Sequence, residues 1–252
     1  MFTWCGIFCY DCRNAVSIIY SGCVYRKRTT YSGDVLSNEE FLQATQLCDF
    51  DVHQEIRTKA LEITRGCDEQ EAVFQQIFSF IKEFPYGLED WDIPASQILA
   101  KGWGMCSGKT NLLVAMLRSI GIPARYRVYQ IMGDVPLWNW ATKEDSKVRL
   151  VASDEAHDHV DCEVYLDRWR ICDPSRDTAL ENGVRVIGLP LRRNMVTDDT
   201  GKTHYVILAS IDQWAKERQE RRKFRGNREA IFVMVNDRLN EIRTLGRSAA
   251  QK

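Results

Sequence analysis

Three residues of the types used in nucleophilic catalysis, Cys106, His159 and Asp173, stand in different parts of the chain. Cys106 lies where an apolar helical pattern begins, within GWGMCSGKTNLLVAMLRSIGIPARYRVY at residues 102–129. The first turn of a helix offers backbone N–H groups and the positive end of the helix dipole, and both favour a thiolate over a thiol. A free cysteine is also among the residue types most often buried as small hydrophobes. The position of Cys106 makes it a candidate nucleophile, with packing in the core as the alternative.

A β-hairpin is predicted in HDHVDCEVYLDRWRICDPS, residues 157–175. Alternation of apolar and polar side chains places His159 on one face of the first strand. Residues 166–168 make the connection, and residues 169–172 make the return strand. Asp173 thereby comes back to the level of His159.

This set of residue types suits a proton-relay mechanism. An imidazole within hydrogen-bond reach takes the proton of a thiol and returns it to a leaving group, while a carboxylate on the far ring nitrogen fixes the tautomer. Cys106, His159 and Asp173 are candidates for these three roles. The backbone N–H groups of Cys106 and Ser107 are candidates for binding an oxyanion. His157, on the same strand face as His159, is the alternative base and could line the site.

Apolar periodicity predicts the elements that hold these residues. Helical spacing recurs in residues 51–66 and 68–84, and Asp68 is a suitable cap for the second of these helices. From Cys106 onward the apolar residues again follow the helical period, and Gly121, followed by a proline, predicts the end of that helix.

The remaining segments continue this mixed pattern. Residues 124–131 alternate as a β-strand does. Residues 210–228 form a helix of mixed charge, which indicates a solvated face. Residues 228–246 resume an apolar helical period that predicts packing against the domain.

Several phrases of the sequence resemble a known superfamily. GWGMCSGKTNLLVAMLRSIGIPARY, together with HVDCEVYLDRWRICDPS, resembles the core of the transglutaminase-like superfamily. In that superfamily a cysteine opens a central helix that ends in Gly-Ile-Pro-Ala-Arg. A histidine precedes a Glu-Val-Tyr strand, and an aspartate precedes a proline on the return strand. The phrases FLQAT, FSFIKEFPYG and WDIPASQILAKGWGMC are similar to the microbial branch, which includes proteins regarded as cysteine proteases, and the resemblance extends over residues 41–175.

The resemblance implies an α+β fold with a papain-like or transglutaminase-like core. In that core the nucleophile stands at the N-terminus of a central helix packed on an antiparallel β-sheet. Carried over by position, the nucleophile is Cys106, the base is His159 and the orienting acid is Asp173. The family histidine stands four residues before the glutamate of Glu-Val-Tyr, which favours His159 over His157.

The resemblance also implies acyl chemistry on an amide or peptide bond. The nucleophile would form a thioester acyl-enzyme, resolved most simply by water, and the partner would be a peptide or protein amide substrate. Transfer of a protein glutamine acyl group to an amine and peptide N-glycanase-like deglycosylation are the alternatives. The glycanase branch carries two CxxC zinc pairs ahead of its nucleophile, and this sequence has no such arrangement between Phe41 and Cys106. A catalytically silent peptide-binding module is the alternative of another class. No cofactor is predicted.

Two departures from the family pattern lie near the expected site. Asp161 stands where many relatives carry an aromatic residue, which adds negative charge near the base. The LDRW turn lacks the glycine of the usual Asp-Gly. Trp103 and Tyr86 could line a substrate groove or simply cover the core. Lys109 is expected on the solvated side of its helix, with contact to a substrate carboxylate or phosphate as the alternative.

Composition sets the remaining expectations. The chain has 252 residues and a formal net charge of −1, which gives no reason to expect nucleic acid or an anionic membrane as a partner. The absence of a signal sequence and of a run of ~20 apolar residues predicts a cytoplasmic location. We predict an N-terminal extension at 1–34, a transglutaminase-like catalytic core at 35–200 and a C-terminal extension at 201–252 that packs on the core.

The nine cysteines are unevenly placed. An odd number without a secretion signal argues against a disulfide framework. Cys5, Cys9, Cys12 and Cys23 crowd the N-terminus and could form part of a metal site, although only Cys9 and Cys12 have CxxC spacing. An accessory segment without metal is the alternative.

Overall fold

The chain divides into two units, Met1–Ser37 and Asn38–Lys252. The computed structural model describes residues 38–132, 156–189, 191, 195–221 and 228–250, and the backbone of two short strands in the first unit. These strands, β1 (Ile18–Tyr20) and β2 (Cys23–Tyr25), pair antiparallel. The four cysteines predicted as possible metal ligands lie outside the residues whose side chains are described: Cys5, Cys9, Cys12 and Cys23.

The second unit begins with a 3₁₀ helix and continues with alternating groups of helices and strands. Its elements are the 3₁₀ helix Asn38–Leu42, α1 (Gln54–Ile63), α2 (Gln70–Lys82), α3 (Ala95–Lys101), α4 (Cys106–Ser119), β3 (Ala124–Met132), β4 (Ala156–Tyr165), β5 (Trp169–Cys172), α5 (Thr178–Val186), β6 (Tyr205–Leu208), α6 (Asp212–Glu220) and α7 (Arg228–Ala250).

A central helix on an antiparallel sheet defines the architecture. The sheet has four strands in the order β5-β4-β3-β6, and each neighbouring pair is antiparallel. Helix α4 packs against α1, α2 and α3 and against strands β3 and β4. This arrangement confirms the predicted α+β class. None of the helices in the described ranges is long and apolar enough to cross a membrane.

Helix α4 is buried on all sides. Every residue from Cys106 to Arg118 is inaccessible or nearly so, including the polar side chains of the helix. Such complete burial is typical of a helix enclosed by other elements rather than lying on a surface. Buried polar groups in such a helix require hydrogen-bond partners, since leaving one unsatisfied costs about 1–3 kcal/mol.

The ends of the helices test the predicted boundaries. After α4, Gly121 adopts a left-handed backbone with φ of 85°, and the N–H of Ile122 donates to Leu117 O at 3.0 Å. This closure confirms the predicted stop at Gly121. The predicted cap at Asp68 is wrong, because α2 has Glu69 as its N-cap residue, and no side chain caps the helix.

The register of the sheet fixes which side chains share a face. Tyr129 of β3 lies opposite His159 of β4, and Cys162 of β4 lies opposite Cys172 of β5. The even-numbered residues of β4 between 160 and 164 are completely buried in the hydrophobic core. His159 therefore lies on the other face, as the alternation in the sequence predicted.

Helices α5 and α7 cross at very short distance. A Cβ added to Gly183 would overlap the carbonyl oxygen of Ile242, and one added to Gly246 would overlap that of Ala179. The same two helices share a buried ion pair, because Asp177 at the N-terminus of α5 binds Arg243 of α7 at 2.8 Å. The glycines allow the backbones to approach closely enough for this pair to form.

Candidate active site

Cys106 is the first residue of α4 and is 4% exposed. Met105 has an extended backbone and forms the N-cap, and the N–H of Lys109 donates to Met105 O at 2.9 Å as the first hydrogen bond of the helix. The amides of residues 106–108 precede that bond and belong to the positive end of the helix. The predicted start of the helix is therefore confirmed, and it places the thiol where a thiolate is favoured.

Glu89 holds the turn that leads into α4. Its Oε1 accepts a hydrogen bond from the N–H of Met105 at 2.9 Å, and its Oε2 pairs with Lys101. A Cβ on Gly104 would lie 3.1 Å from Glu89 Oε1, and one on Gly108 would lie 2.9 Å from it. Burial raises the pKa of Glu89, while its bonds to Lys101 and Met105 oppose that shift. The close approach of Glu89 and of Ile98, whose Cδ1 would lie still nearer to both added Cβ atoms, explains the glycines on either side of the cysteine.

His159 and Asp173 are in direct contact. His159 Nε2 lies 3.1 Å from Asp173 Oδ2, and His159 is 3% exposed. Asp173 follows β5, and its Oδ1 accepts hydrogen bonds from the backbone N–H of Ser175, at 2.9 Å, and from the Ser175 hydroxyl. A neutral imidazole that donates from Nε2 to the carboxylate has Nδ1 as its basic nitrogen. The hairpin thus brings together the two residues that the sequence assigned to base and orienting acid.

The helix of Cys106 meets the strand of His159 one turn after the cysteine. The Oγ1 of Thr110 donates to the carbonyl oxygen of Val160 at 3.4 Å. The ring of Tyr129 packs edge-on against the imidazole with centroids 5.2 Å apart. The imidazole is therefore held by a carboxylate at Nε2 and an aromatic ring beside it, on the strand next to the start of α4.

Asp161 does not leave an uncompensated charge beside the base. Arg127 binds it in a two-pronged contact, from Nε to Oδ1 at 2.9 Å and from Nη2 to Oδ2 at 2.6 Å. The next cross-strand pair on the same face is Arg125 with Glu163, at 2.7 Å. The expectation of added negative charge near the base is therefore corrected, because an arginine directly opposite on β3 neutralises the carboxylate.

Lys109 lies in the core and not on the solvated side of its helix. It is 0% exposed, and its Nζ donates to the carbonyl oxygens of Lys82 at 3.1 Å, Phe84 at 2.6 Å and Ser175 at 3.1 Å. Burial lowers the pKa of Lys109 to about 7. Both sequence interpretations of this residue are wrong, because α4 is enclosed on every side and the ammonium is already bound to backbone.

Tyr86 and Trp103 lie beside the turn that precedes Cys106. Gly87 N–H donates to Gly104 O, and Gly104 N–H donates to Pro85 O, each at 3.1 Å. These two bonds pair the backbone of Tyr86 with Gly104, in the turn that precedes Cys106. Trp103 is half-buried and packs against the backbone of Gly87. These positions are compatible with the predicted lining of a groove.

His157 lies on the same face of β4 as His159, opposite Ile131 of β3. It is half-buried, whereas His159 is nearly inaccessible. The carboxylate of Asp173 contacts His159. This contact favours His159 as the base and leaves His157 as a residue that could line the site.

Sequence reasoning missed three residues that build this site, Glu89, Tyr129 and Ser175, and misplaced a fourth, Lys109. The serine could have been noticed, because an Asp-Pro-Ser phrase offers a hydroxyl and an amide two residues after the acid. Tyr129 and Glu89 carry no local signal, since their contacts depend on sheet register and on the path of a loop. Among the side chains the structure describes, no group of three or more His, Cys, Asp or Glu is arranged to hold a metal ion.

Part of the chain is similar to known proteins. Residues 57–174 match the family model of the Transglutaminase-like superfamily. The structure is similar to a putative cysteine protease from Cytophaga hutchinsonii, with a TM-score of 0.42 and 16% identity over 69% of this chain and 57% of that chain. It is also similar to red sea bream transglutaminase, with a TM-score of 0.34 and 13% identity over 68% of this chain and 42% of that chain. This chain thus spans about half the length of the two solved structures, and a comparison with curated proteins found no match.

The matched segment includes the cysteine at the start of α4, the histidine of β4 and the aspartate after β5. Over residues 57–174, the chain therefore matches the transglutaminase-like superfamily.

Proposed function

We propose that the chain is a cysteine-nucleophile enzyme that cleaves an amide or peptide bond through Cys106, His159 and Asp173. The observation that carries the proposal is the 3.1 Å contact between His159 Nε2 and Asp173 Oδ2, on the strand beside the first turn of the cysteine helix. A carboxylate at Nε2 selects the tautomer whose Nδ1 can accept a thiol proton.

The first half of the reaction forms an acyl-enzyme. His159 Nδ1 takes the proton of the Cys106 thiol, and the sulfur attacks the carbonyl carbon of the amide. The carbonyl oxygen becomes an oxyanion, for which the first amides of α4 are the proposed donors. When the C–N bond breaks, the imidazolium gives its proton to the leaving amine, and a thioester remains on Cys106.

The second half returns the enzyme to its starting state. His159 Nδ1 takes a proton from water, and the hydroxide attacks the thioester carbonyl. The carbon–sulfur bond breaks, the carboxylic acid leaves and the sulfur regains its proton from the imidazolium. Water is the proposed acceptor because it needs no second binding site, whereas a primary amine in the same position would give transfer.

The test is turnover of simple amide, ester and glycopeptide substrates by the full chain, with and without an added primary amine. Cys106→Ala is the inactive variant, and Cys67→Ala, at a half-buried cysteine outside the site, is its matched control. We expect hydrolysis by the wild type and by Cys67→Ala, with an acyl adduct on Cys106 detectable by mass spectrometry. Product formation by Cys106→Ala would contradict the proposal. A product that forms only when the amine is added would show that the acyl group is transferred to the amine and not to water.

A further inference from the structure

Lys109 occupies an unusual position for a lysine. It is completely buried one helical turn after Cys106, and its ammonium donates to three backbone carbonyls. An ammonium has three N–H donors and no acceptor, so these three carbonyls satisfy it fully. One carbonyl belongs to Lys82, the last residue of α2, another to Phe84, two residues after the helix, and the third to Ser175.

The contact with Ser175 leads directly to the proposed catalytic pair. The same serine donates its amide and hydroxyl to Asp173 Oδ1, and Asp173 Oδ2 contacts His159. A continuous chain of hydrogen bonds therefore runs from the nucleophile helix, through Lys109 and Ser175, to Asp173 and the imidazole.

We propose that Lys109 is the positioning residue that fixes the Asp173 loop, and through it His159, to the helix that carries Cys106. The proposal rests on the proposed function of these residues. Lys109 does not touch the substrate. It sets the distance between two parts of the site that lie far apart in the sequence.

Two other cations that bind the same loop do not supply this link. Lys82 donates to Arg176 O at 2.6 Å, and Arg243 binds Asp177 at 2.8 Å. These two cations come from α2 and α7, so they hold the loop to elements other than the nucleophile helix. From within α4, the side chain of Lys109 makes a hydrogen bond to this loop, at Ser175 O.

The ammonium is well suited to this task. A methionine of similar length would remove the donor from all three carbonyls, of which the one at Ser175 is buried, and the loop would be free to shift. Burial favours the neutral amine, while the three carbonyl acceptors favour the cation. The three hydrogen bonds fix the position of the ammonium, and the bond to Ser175 O holds the backbone of the loop against it.

Arg118 provides a matched control in the same helix. It is 3% exposed, and like Lys109 it donates to carbonyl oxygens, those of Ala124, Gln43 and Ala209 at 2.6–2.9 Å. It stands at the end of α4 remote from Cys106. Substitution of either residue removes a buried cation from the helix, but only Lys109 is linked to Asp173.

The experiment compares Lys109→Met with Arg118→Met in the full chain. Folding is checked by circular dichroism and urea unfolding, and the rate of Cys106 alkylation by iodoacetamide is mapped by mass spectrometry over about pH 5 to 9. We expect both variants to lose stability. We expect Lys109→Met alone to lower the near-neutral alkylation rate by about tenfold or more, since displacements of about 1 Å in a site produce losses of that order.

Equal alkylation profiles in wild type and a folded Lys109→Met would overturn the proposal, as would an equal loss in Arg118→Met. Lys109→Gln, which keeps N–H donors without the charge, is the second variant if the methionine variant does not fold. If neither folds, Lys109 is a folding residue and the positioning role is refuted. The alkylation rate of Cys106 is measured alongside in wild type and in His159→Ala. Equal rates in these two proteins would refute the proposed function itself. A slower rate in His159→Ala, together with an unchanged rate in the Lys109 variant, would refute only the positioning role.

Discussion

Asp173→Asn should impair the thiol chemistry more than its small change in shape suggests. Asp173 Oδ1 accepts from both the amide and the hydroxyl of Ser175, and Oδ2 faces His159 Nε2. An asparagine keeps one oxygen, and the two Ser175 donors require that oxygen at the Oδ1 position. Its NH₂ group then faces Nε2, which forces Nε2 to act as an acceptor and puts the ring proton on Nδ1. Nδ1, the nitrogen proposed to take the proton of the thiol, is then already protonated and can no longer accept it.

The size of the effect follows from the hydrogen bond that is lost. A hydrogen bond to a charged group contributes about 1.5–3 kcal/mol. Since about 1.4 kcal/mol corresponds to a factor of ten, the near-neutral alkylation rate of Cys106 should fall roughly ten- to hundredfold. In turnover, where the base acts in both halves of the reaction, the loss should reach about 10²–10⁴-fold.

The assay is the second-order rate of Cys106 alkylation, compared among wild type, Asp173→Asn, Asp173→Ala and Asp167→Asn. Asp167 is the control, because its carboxylate is 63% exposed in the hairpin turn and pairs with Arg170. We expect Asp173→Asn to react no faster than Asp173→Ala, and Asp167→Asn to match wild type. An Asp173→Asn rate equal to wild type would refute the reasoning about the tautomer.

Three further outcomes follow from packing and charge. Gly246→Ala should lower the free energy of unfolding by about 1–3 kcal/mol, because its Cβ would overlap the backbone of α5; an unchanged urea midpoint would contradict this. Burial alone would raise the pKa of Asp177, but Arg243 holds it below its usual value. As the pH falls, Asp177 therefore binds a proton in the unfolded chain before it does so in the folded chain. The contribution of the ion pair to stability is present above about pH 4 and is lost as the pH falls through the pKa of Asp177 in the folded chain. Asp177→Asn should show a flatter acid limb in urea unfolding, and an acid limb as steep as wild type would count against the pair. Arg127→Met should destabilise the fold by about 3–5 kcal/mol, because it leaves Asp161 buried without its partner, and a loss below 1 kcal/mol would be inconsistent with the contact.

Local patterns in the sequence predicted a large part of this fold. Gly121 ends α4 as expected, because a left-handed residue after a helix is a property of a few neighbouring residues. The alternation of β4 predicted which face carries His159, since successive side chains of a strand point to opposite faces. Asp173 could be brought to His159 from the hairpin alone, because the connection at residues 166–168 is short.

The contacts that sequence reasoning could not supply are all long-range. Lys109 looked like a solvated residue because helical periodicity identifies one apolar face, whereas α4 is enclosed by helices and a sheet at once. Its acceptors are backbone carbonyls, which have no signature in residue types. The partner of Asp161 is Arg127, and the pairing depends on the register between β3 and β4. The segment that joins those strands gives no rule for that register.

Selective alkylation of Cys106 tests the central proposal most directly. Cys172 is a matched internal reference, because it is 8% exposed against 4% for Cys106, so access to the reagent favours neither thiol strongly. A hydrogen bond with Cys162 and burial hold the pKa of Cys172 well above its usual range, so Cys172 should react slowly. In the wild type at near-neutral pH, we expect Cys106 to be carboxamidomethylated at least about tenfold faster than Cys172, and His159→Ala to abolish that difference. A Cys106 rate equal to that of Cys172, or one unaffected by His159→Ala, would contradict the assignment of a reactive thiol activated by His159.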